Sequence, residues 1–126
     1  MTTYRLKTSK EGEIKKEGNY TYKFINGKWR EIHYKNNKGD EYWCEYEDKG
    51  HLIHYKDNDG LEEWHEYDKG NKIYYKDNRE FEYWQEYDDK EHLIHYKDSE
   101  GIEEWYNDKG EKITEEEFNR IWEKIE

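Results

Sequence analysis

Six histidines, one cysteine and 33 acidic residues are the side chains of this 126-residue chain with the reach to do chemistry. His33, His54 and His95 share one recurring position, held by Tyr74 in the remaining copy, and His51 and His92 share another. Equivalent residues on successive hairpins stand two strands apart, about 9–10 Å. Ligands of one zinc ion each lie about 2 Å from the metal, so the ladder is too open to hold one, and no metal or cofactor is expected. Paired carboxylates do the work of glycoside hydrolysis, but no acid here is uniquely set in an apolar pocket that would raise its pKa. Cys44 beside a histidine would be a nucleophile. Its counterparts are His65 and Gln85, and the position falls on the packed face derived below, so an inert thiol is expected. No glycine-rich phosphate loop is present. The expectation is a protein without enzymatic activity.

One pattern does point to binding. Glu-x-Trp-x-Glu occurs as Glu41-Trp43-Glu45, Glu62-Trp64-Glu66 and Glu82-Trp84-Glu86, with a partial copy at Glu103 and Trp105. On strands these residues share a face, giving columns of carboxylates beside a row of tryptophans. An exposed aromatic row is a binding surface. The alternative is that the rings pack on lysine stems and stabilise the sheet.

Tandem repeats must position these residues. Trp43, Trp64, Trp84 and Trp105 are spaced 21, 20 and 21 residues apart, and so are Tyr34, Tyr55, Tyr75 and Tyr96. Ile32, Ile53, Ile73 and Ile94 keep the same rhythm, as do Lys35, Lys56, Lys76 and Lys97. Such self-similarity marks a repeat array. Each copy carries two strand-like segments around turn residues, as in His51–Lys56, Asp57–Gly60 and Leu61–Tyr67. A mainly β chain results, with four antiparallel hairpin repeats of about 20–21 residues over 31–113. Within residues 1–30, Tyr20, Tyr22 and Phe24 alternate with Thr21 and Lys23 ahead of an Asn26-Gly27 hairpin signal, and a further strand is expected at residues 4–6. Over 114–126, Thr114-Glu115-Glu116-Glu117 is a capping box. Phe118, Ile121, Trp122 and Ile125 form one helical face that caps the last repeat.

A three-residue loop closed by a glycine bulge suits Asp57–Gly60. It sets Lys56 opposite Glu62 and His54 opposite Trp64 on one face. Ile53, Tyr55, Leu61, His65 and Tyr67 go to the other, as do Ile94, Tyr96, Ile102 and Tyr106 one pair of copies later. Only 31% of residues are hydrophobic and 44% are charged, with no Ala, Val or Pro. Such polarity alone would favour disorder, but 18% aromatic residues can build a thin core. The net charge of −11 disfavours direct nucleic-acid binding and favours basic protein surfaces. It also serves solubility. One cysteine excludes an internal disulfide framework. With no apolar leader in Met1–Arg5 and no membrane-length apolar run, a cytoplasmic location is expected, the host cytoplasm if the chain is phage-encoded.

The copy Tyr67-Asp68, Gly70, Ile73 and Asp77, followed by Tyr87-Asp88, Leu93 and Asp98-Ser99-Glu100-Gly101, resembles the YD repeat of the rearrangement-hotspot family over residues 31–113. Tyr46 is followed by Glu47, Glu80 and Glu91 replace turn glycines, and Tyr106-Asn107-Asp108 breaks the last pair. The resemblance implies a β-strand repeat. Cell-wall-binding repeats resemble the chain in their alternating aromatic hairpins. In size, charge and composition it is similar to small phage inhibitors of bacterial defence, including anti-CRISPR proteins, and to toxin-immunity proteins. The functional expectation is an inhibitor that blocks the basic surface of a nucleic-acid-processing protein. Carbohydrate binding and structural self-association are the alternatives.

Overall fold

The computed structural model describes residues 1–5 and 7–125. They form eleven antiparallel strands and one short helix, arranged as two compact units, Met1–Leu61 and Glu62–Glu126. The first unit contains β1 (Ile14–Glu17), β2 (Tyr20–Ile25), β3 (Lys28–Lys35), β4 (Glu41–Tyr46) and β5 (Leu52–Asp57), each paired with the next. The second contains β6 (Glu62–Asp68), β7 (Asn71–Asp77), β8 (Glu82–Tyr87), β9 (Leu93–Asp98), β10 (Glu103–Tyr106), β11 (Lys112–Ile113) and α1 (Glu115–Ile121). Its strands also pair in chain order. No strand forms at Tyr4 or Arg5, and Leu6 lies outside the described residues. The strand that opens the first unit is β1. Its Lys15 lays its ammonium 4.4 Å from the centre of the Trp29 ring, where a cation meets the negative π face.

Loop chemistry sets the register. In the three-residue loop after β5 the Asp57 N–H donates to the Leu61 carbonyl at 3.0 Å, and Gly60 adopts φ +95°. The aspartate that opens the loop organises it. Asp77 Oδ1 accepts the N–H groups of Arg79 (2.9 Å) and Phe81 (3.3 Å), and Asp98 Oδ1 those of Glu100 (2.9 Å) and Ile102 (3.1 Å). The expected register recurs as Lys35 opposite Glu41, Lys76 opposite Glu82 and Lys97 opposite Glu103. Glu80 and Glu91, which replace turn glycines, hold the glycine conformation at φ +70° and +68°.

The isoleucine ladder does not lie where strict alternation places it. In β5 the partners run Glu45 opposite His54, then Tyr46 opposite Leu52, so Ile53 is an extra residue. The same bulge leaves out Ile32, Ile73 and Ile94. Directly opposed residues share a face, so Leu52, Lys72 and Leu93 join Tyr46, Tyr67 and Tyr87 on the tyrosine face, in place of the isoleucines. Ile73 instead borders a hollow with Trp84, Glu86 and His95. Each bulge reverses the alternation that would have carried the isoleucine to the other side.

Packing is correspondingly thin. Ile25 and Ile94, one in each unit, are the buried apolar side chains of the described residues. Tyrosine columns replace a core. Ring centres are 4.8, 5.2 and 5.9 Å apart along Tyr20, Tyr34, Tyr42 and Tyr55, and 5.1 and 5.7 Å apart along Tyr75, Tyr83 and Tyr96. Aromatic pairs of this kind contribute about 0.5–1.5 kcal/mol each beyond their buried area. The phenols of Tyr55, Tyr75 and Tyr96 donate to Asp57, Asp77 and Asp98 at 3.0, 3.1 and 2.9 Å. Burial, with the Asp98 hydrogen bond, pushes the Tyr96 phenol up to about 12. On the same face Cys44 is half-buried, and burial raises its thiol.

Thr114 caps α1, accepting the Glu117 N–H at 3.1 Å. The helix ends at Ile121, short of residue 126. Trp122 turns to extended backbone, and its indole N–H donates to the Tyr106 carbonyl at 2.9 Å. Ile125 is therefore off the helix and 82% exposed.

Two predictions follow from the loops. Left-handed backbone costs a non-glycine residue roughly 1–2 kcal/mol, partly offset by the ordering entropy of glycine, about 0.5–1 kcal/mol. Glu80→Gly and Glu91→Gly should each stabilise the protein by about 0.5–1 kcal/mol in urea unfolding. A loss of stability in both would contradict the loop geometry. Asp77 is buried, which opposes its charge, but the N–H groups of Arg79 and Phe81 and the Tyr75 phenol outweigh burial and lower its pKa. Its charge therefore contributes stability above the ordinary carboxylate value near 4. That contribution is lost as pH falls through the lower folded value. Asp77→Asn, which keeps a loop acceptor, should be less stable than wild type at pH 7 and no longer so near pH 2.

Candidate functional site: the tryptophan and carboxylate face

Strand alternation and the loop register put Glu41, Trp43 and Glu45 on one face of the first unit. In the second they do the same for Glu62, Trp64 and Glu66, for Glu82, Trp84 and Glu86, and for Glu103 and Trp105. Each tryptophan opposes a lysine or a histidine-position residue on the neighbouring strands. Trp43 lies between His33 and Lys56, Trp84 between Tyr74 and Lys97, and Trp105 opposes His95. Ring centres are 5.6 Å apart for His33 and Trp43 and 5.7 Å for Tyr74 and Trp84, both pairs tilted, and 5.6 Å for His95 and Trp105, which are stacked.

Tryptophans are accessible in both units. Trp43, Trp64 and Trp84 are 40%, 37% and 41% exposed, whereas Trp105 is half-buried. Glu45, Glu66, Glu86 and Glu103 are exposed, and Glu41, Glu62 and Glu82 half-buried. The carboxylate columns are not bare. Glu41 bonds His33 at 2.6 Å, Glu45 bonds His54 at 3.0 Å, and Glu82 accepts the Tyr74 phenol. Glu86 and Glu103 clamp His95 from both ring nitrogens, at 2.6 and 2.8 Å. The face therefore alternates columns of acid and tryptophan with columns of lysine and histidine.

His95 is the most constrained group on it. Burial works against its charge, but the hydrogen bonds and charges of Glu86 and Glu103 prevail and raise its pKa. Those carboxylates occupy both nitrogens, so the cluster is a hydrogen-bonded strut that becomes an ion-paired one when the imidazole is protonated. Among the described residues no three His, Cys, Asp or Glu side chains converge to hold a metal.

The isoleucines of this face were not assigned to it from sequence. The signal was available: Leu52-Ile53 and Leu93-Ile94 are adjacent aliphatic pairs, which break a period of two. The opposite face also holds a polar break. His65 is 7% exposed with its Nε2 3.4 Å from Glu63, and Lys72 lies 5.8 Å from the Tyr67 ring centre. Burial, with the nearby Lys72, lowers the His65 pKa, and burial lowers that of Lys72. Among the described residues no helix is long and apolar enough to cross a membrane. No protein-family model matches the chain, and no curated protein matches its sequence.

The two histidines should titrate on opposite sides of the ordinary value of 6.5. In an NMR titration of the imidazole carbons, His95 should have its midpoint above that value and His65 below it. The raised His95 pKa contributes stability that is complete below 6.5 and is lost as pH rises through the folded value. His95→Gln should accordingly destabilise the protein more at pH 5.5 than at pH 9. An equal loss at both would contradict the clamp.

Proposed function

We propose that the chain is a non-enzymatic inhibitor that docks its tryptophan and carboxylate face on a basic surface of a nucleic-acid-processing protein. The observation that carries this reading is the distribution of charge. Glu62–Glu126 contains 22 acidic and 10 basic residues, net −12, while Met1–Leu61 contains 11 and 12, net +1. The excess acid thus coincides with the half that presents Trp64 and Trp84 exposed. Aromatic side chains supply anchor energy at interfaces, and complementary charge supplies steering and orientation. Proteins that handle nucleic acid offer the matching partner, since they bind phosphates in positively charged channels. A phage-borne or toxin-immunity setting is the biological form of this proposal, and a cytoplasmic location belongs to it.

The test is affinity capture from bacterial lysate at low and high salt, with mass spectrometry of what co-elutes. A basic nucleic-acid enzyme should be retained at low salt and weakened at high salt. Reversing Glu62, Glu66, Glu82 and Glu86 to lysine should lower capture at least tenfold with the β fold retained by circular dichroism. The same charge change at Glu115, Glu116, Glu117 and Glu123 should leave most of it. Undiminished capture by the first variant would remove the proposal.

A further inference from the structure

The chain's own helix shows what one copy of this face accepts. In the last copy Ile94 is 9% exposed and borders a hollow with Phe118 and Trp122. The Phe118 ring centre lies 5.8 Å from that of His95, and Trp105 is half-buried. One copy earlier the corresponding positions are Ile73, Tyr74 and Trp84. Here Trp84 remains 41% exposed, and Ile73 and Trp84 border an open hollow with Asp68, Glu86 and Lys97. The two hollows share a wall formed by Asp68, Lys69, Glu86, Tyr87, Asp88 and Asp89, so the open one adjoins the hollow that α1 borders.

The charge of the hollow selects its occupant. Five carboxylates border it against three lysines and His95, the last already held by Glu86 and Glu103, in a unit of net charge −12. The first turn of α1 is itself acidic, with Glu115, Glu116 and Glu117. It can sit beside an acidic wall because it is tethered at high effective concentration. An untethered acidic helix, including that of a second copy, would be repelled. We infer that the Ile73–Trp84 hollow receives a basic amphipathic helix of the partner protein, which seats an aromatic side chain there as α1 seats Phe118 against His95. Helices bind grooves through such anchors at helical spacing. The inference rests on the proposed basic partner and deepens it by naming the recognised element.

The test uses the full chain and two synthetic peptides with the sequence of residues 114–125. One is unchanged, and one carries E115K, E116K, E117K and E123K. The lysine peptide should shift the Trp84 indole and Ile73 methyl resonances, and should bind at least tenfold more tightly than the unchanged peptide. Trp84→Ala and the pair D68N/D89N should each weaken it at least tenfold, while D108N/E111Q, an equal charge change elsewhere, should cost less than twofold. D68N/D89N keeps the test decisive should Trp84→Ala disturb folding. Absence of binding, equal binding of both peptides, or equal effects of the two charge-neutralised pairs would overturn the inference. Capture of a basic enzyme that survives Trp84→Ala but is lost on reversing the four glutamates would retain the broader function and discard the helix.

Discussion

The structure depends on one carboxylate used twice. In Asp57, Asp77 and Asp98 one oxygen accepts loop N–H groups, and the other accepts the phenol of the tyrosine two residues earlier. The first contact closes a three-residue loop and fixes the hairpin register. The second holds the ring in the tyrosine column. A chain with so few aliphatic residues cannot rely on a buried core to choose its register. A local polar group that couples turn to ladder does it instead, once per repeat. Charge-assisted hydrogen bonds are among the stronger local contacts available for this.

Because each unit packs so few side chains away from water, both faces of its strands stay accessible and must be chemically finished. The tyrosine face is finished by stacking and by phenol to carboxylate bonds. The opposite face is finished by pairing, with glutamates against lysine and histidine and tryptophans laid beside them. That pairing limits what the acidic residues can offer a partner. Glu86 and Glu103 are engaged by His95, and Glu82 by Tyr74. On the proposed docking face the half-buried and paired glutamates would set orientation, and the exposed Trp64 and Trp84 would be the local anchors.

The helix α1 treats the end of this surface differently. Phe118 lies beside His95, and Phe118, Trp122 and Ile94 border one hollow, in a copy where Ile94 is buried and Trp105 half-buried. Terminal units of repeat proteins need capping, because they lack a further neighbour. The residue types that lie beside the helix in the last copy recur in the copy before it, where Trp84 stays exposed.

Spacing alone determined the repeat, the hairpin loops and their lengths, the pairing of lysine with glutamate, and the shared face of the Glu-x-Trp-x-Glu residues. Turn chemistry and a period of two are local properties and can be read along the chain. Three features needed the tertiary structure. The bulges at Ile32, Ile53, Ile73 and Ile94 reversed the faces of the isoleucines, and a bulge reflects how two strands fit rather than what either prefers. The helix stops at Ile121, where Trp122 turns to extended backbone and its indole bonds Tyr106, a partner sixteen residues away that helical periodicity does not contain. The exposure of Trp84 against the partial burial of Trp105 was also invisible. The two occupy the same repeat position, but Trp84 lies opposite Lys97 on its second side and Trp105 opposite Ile113.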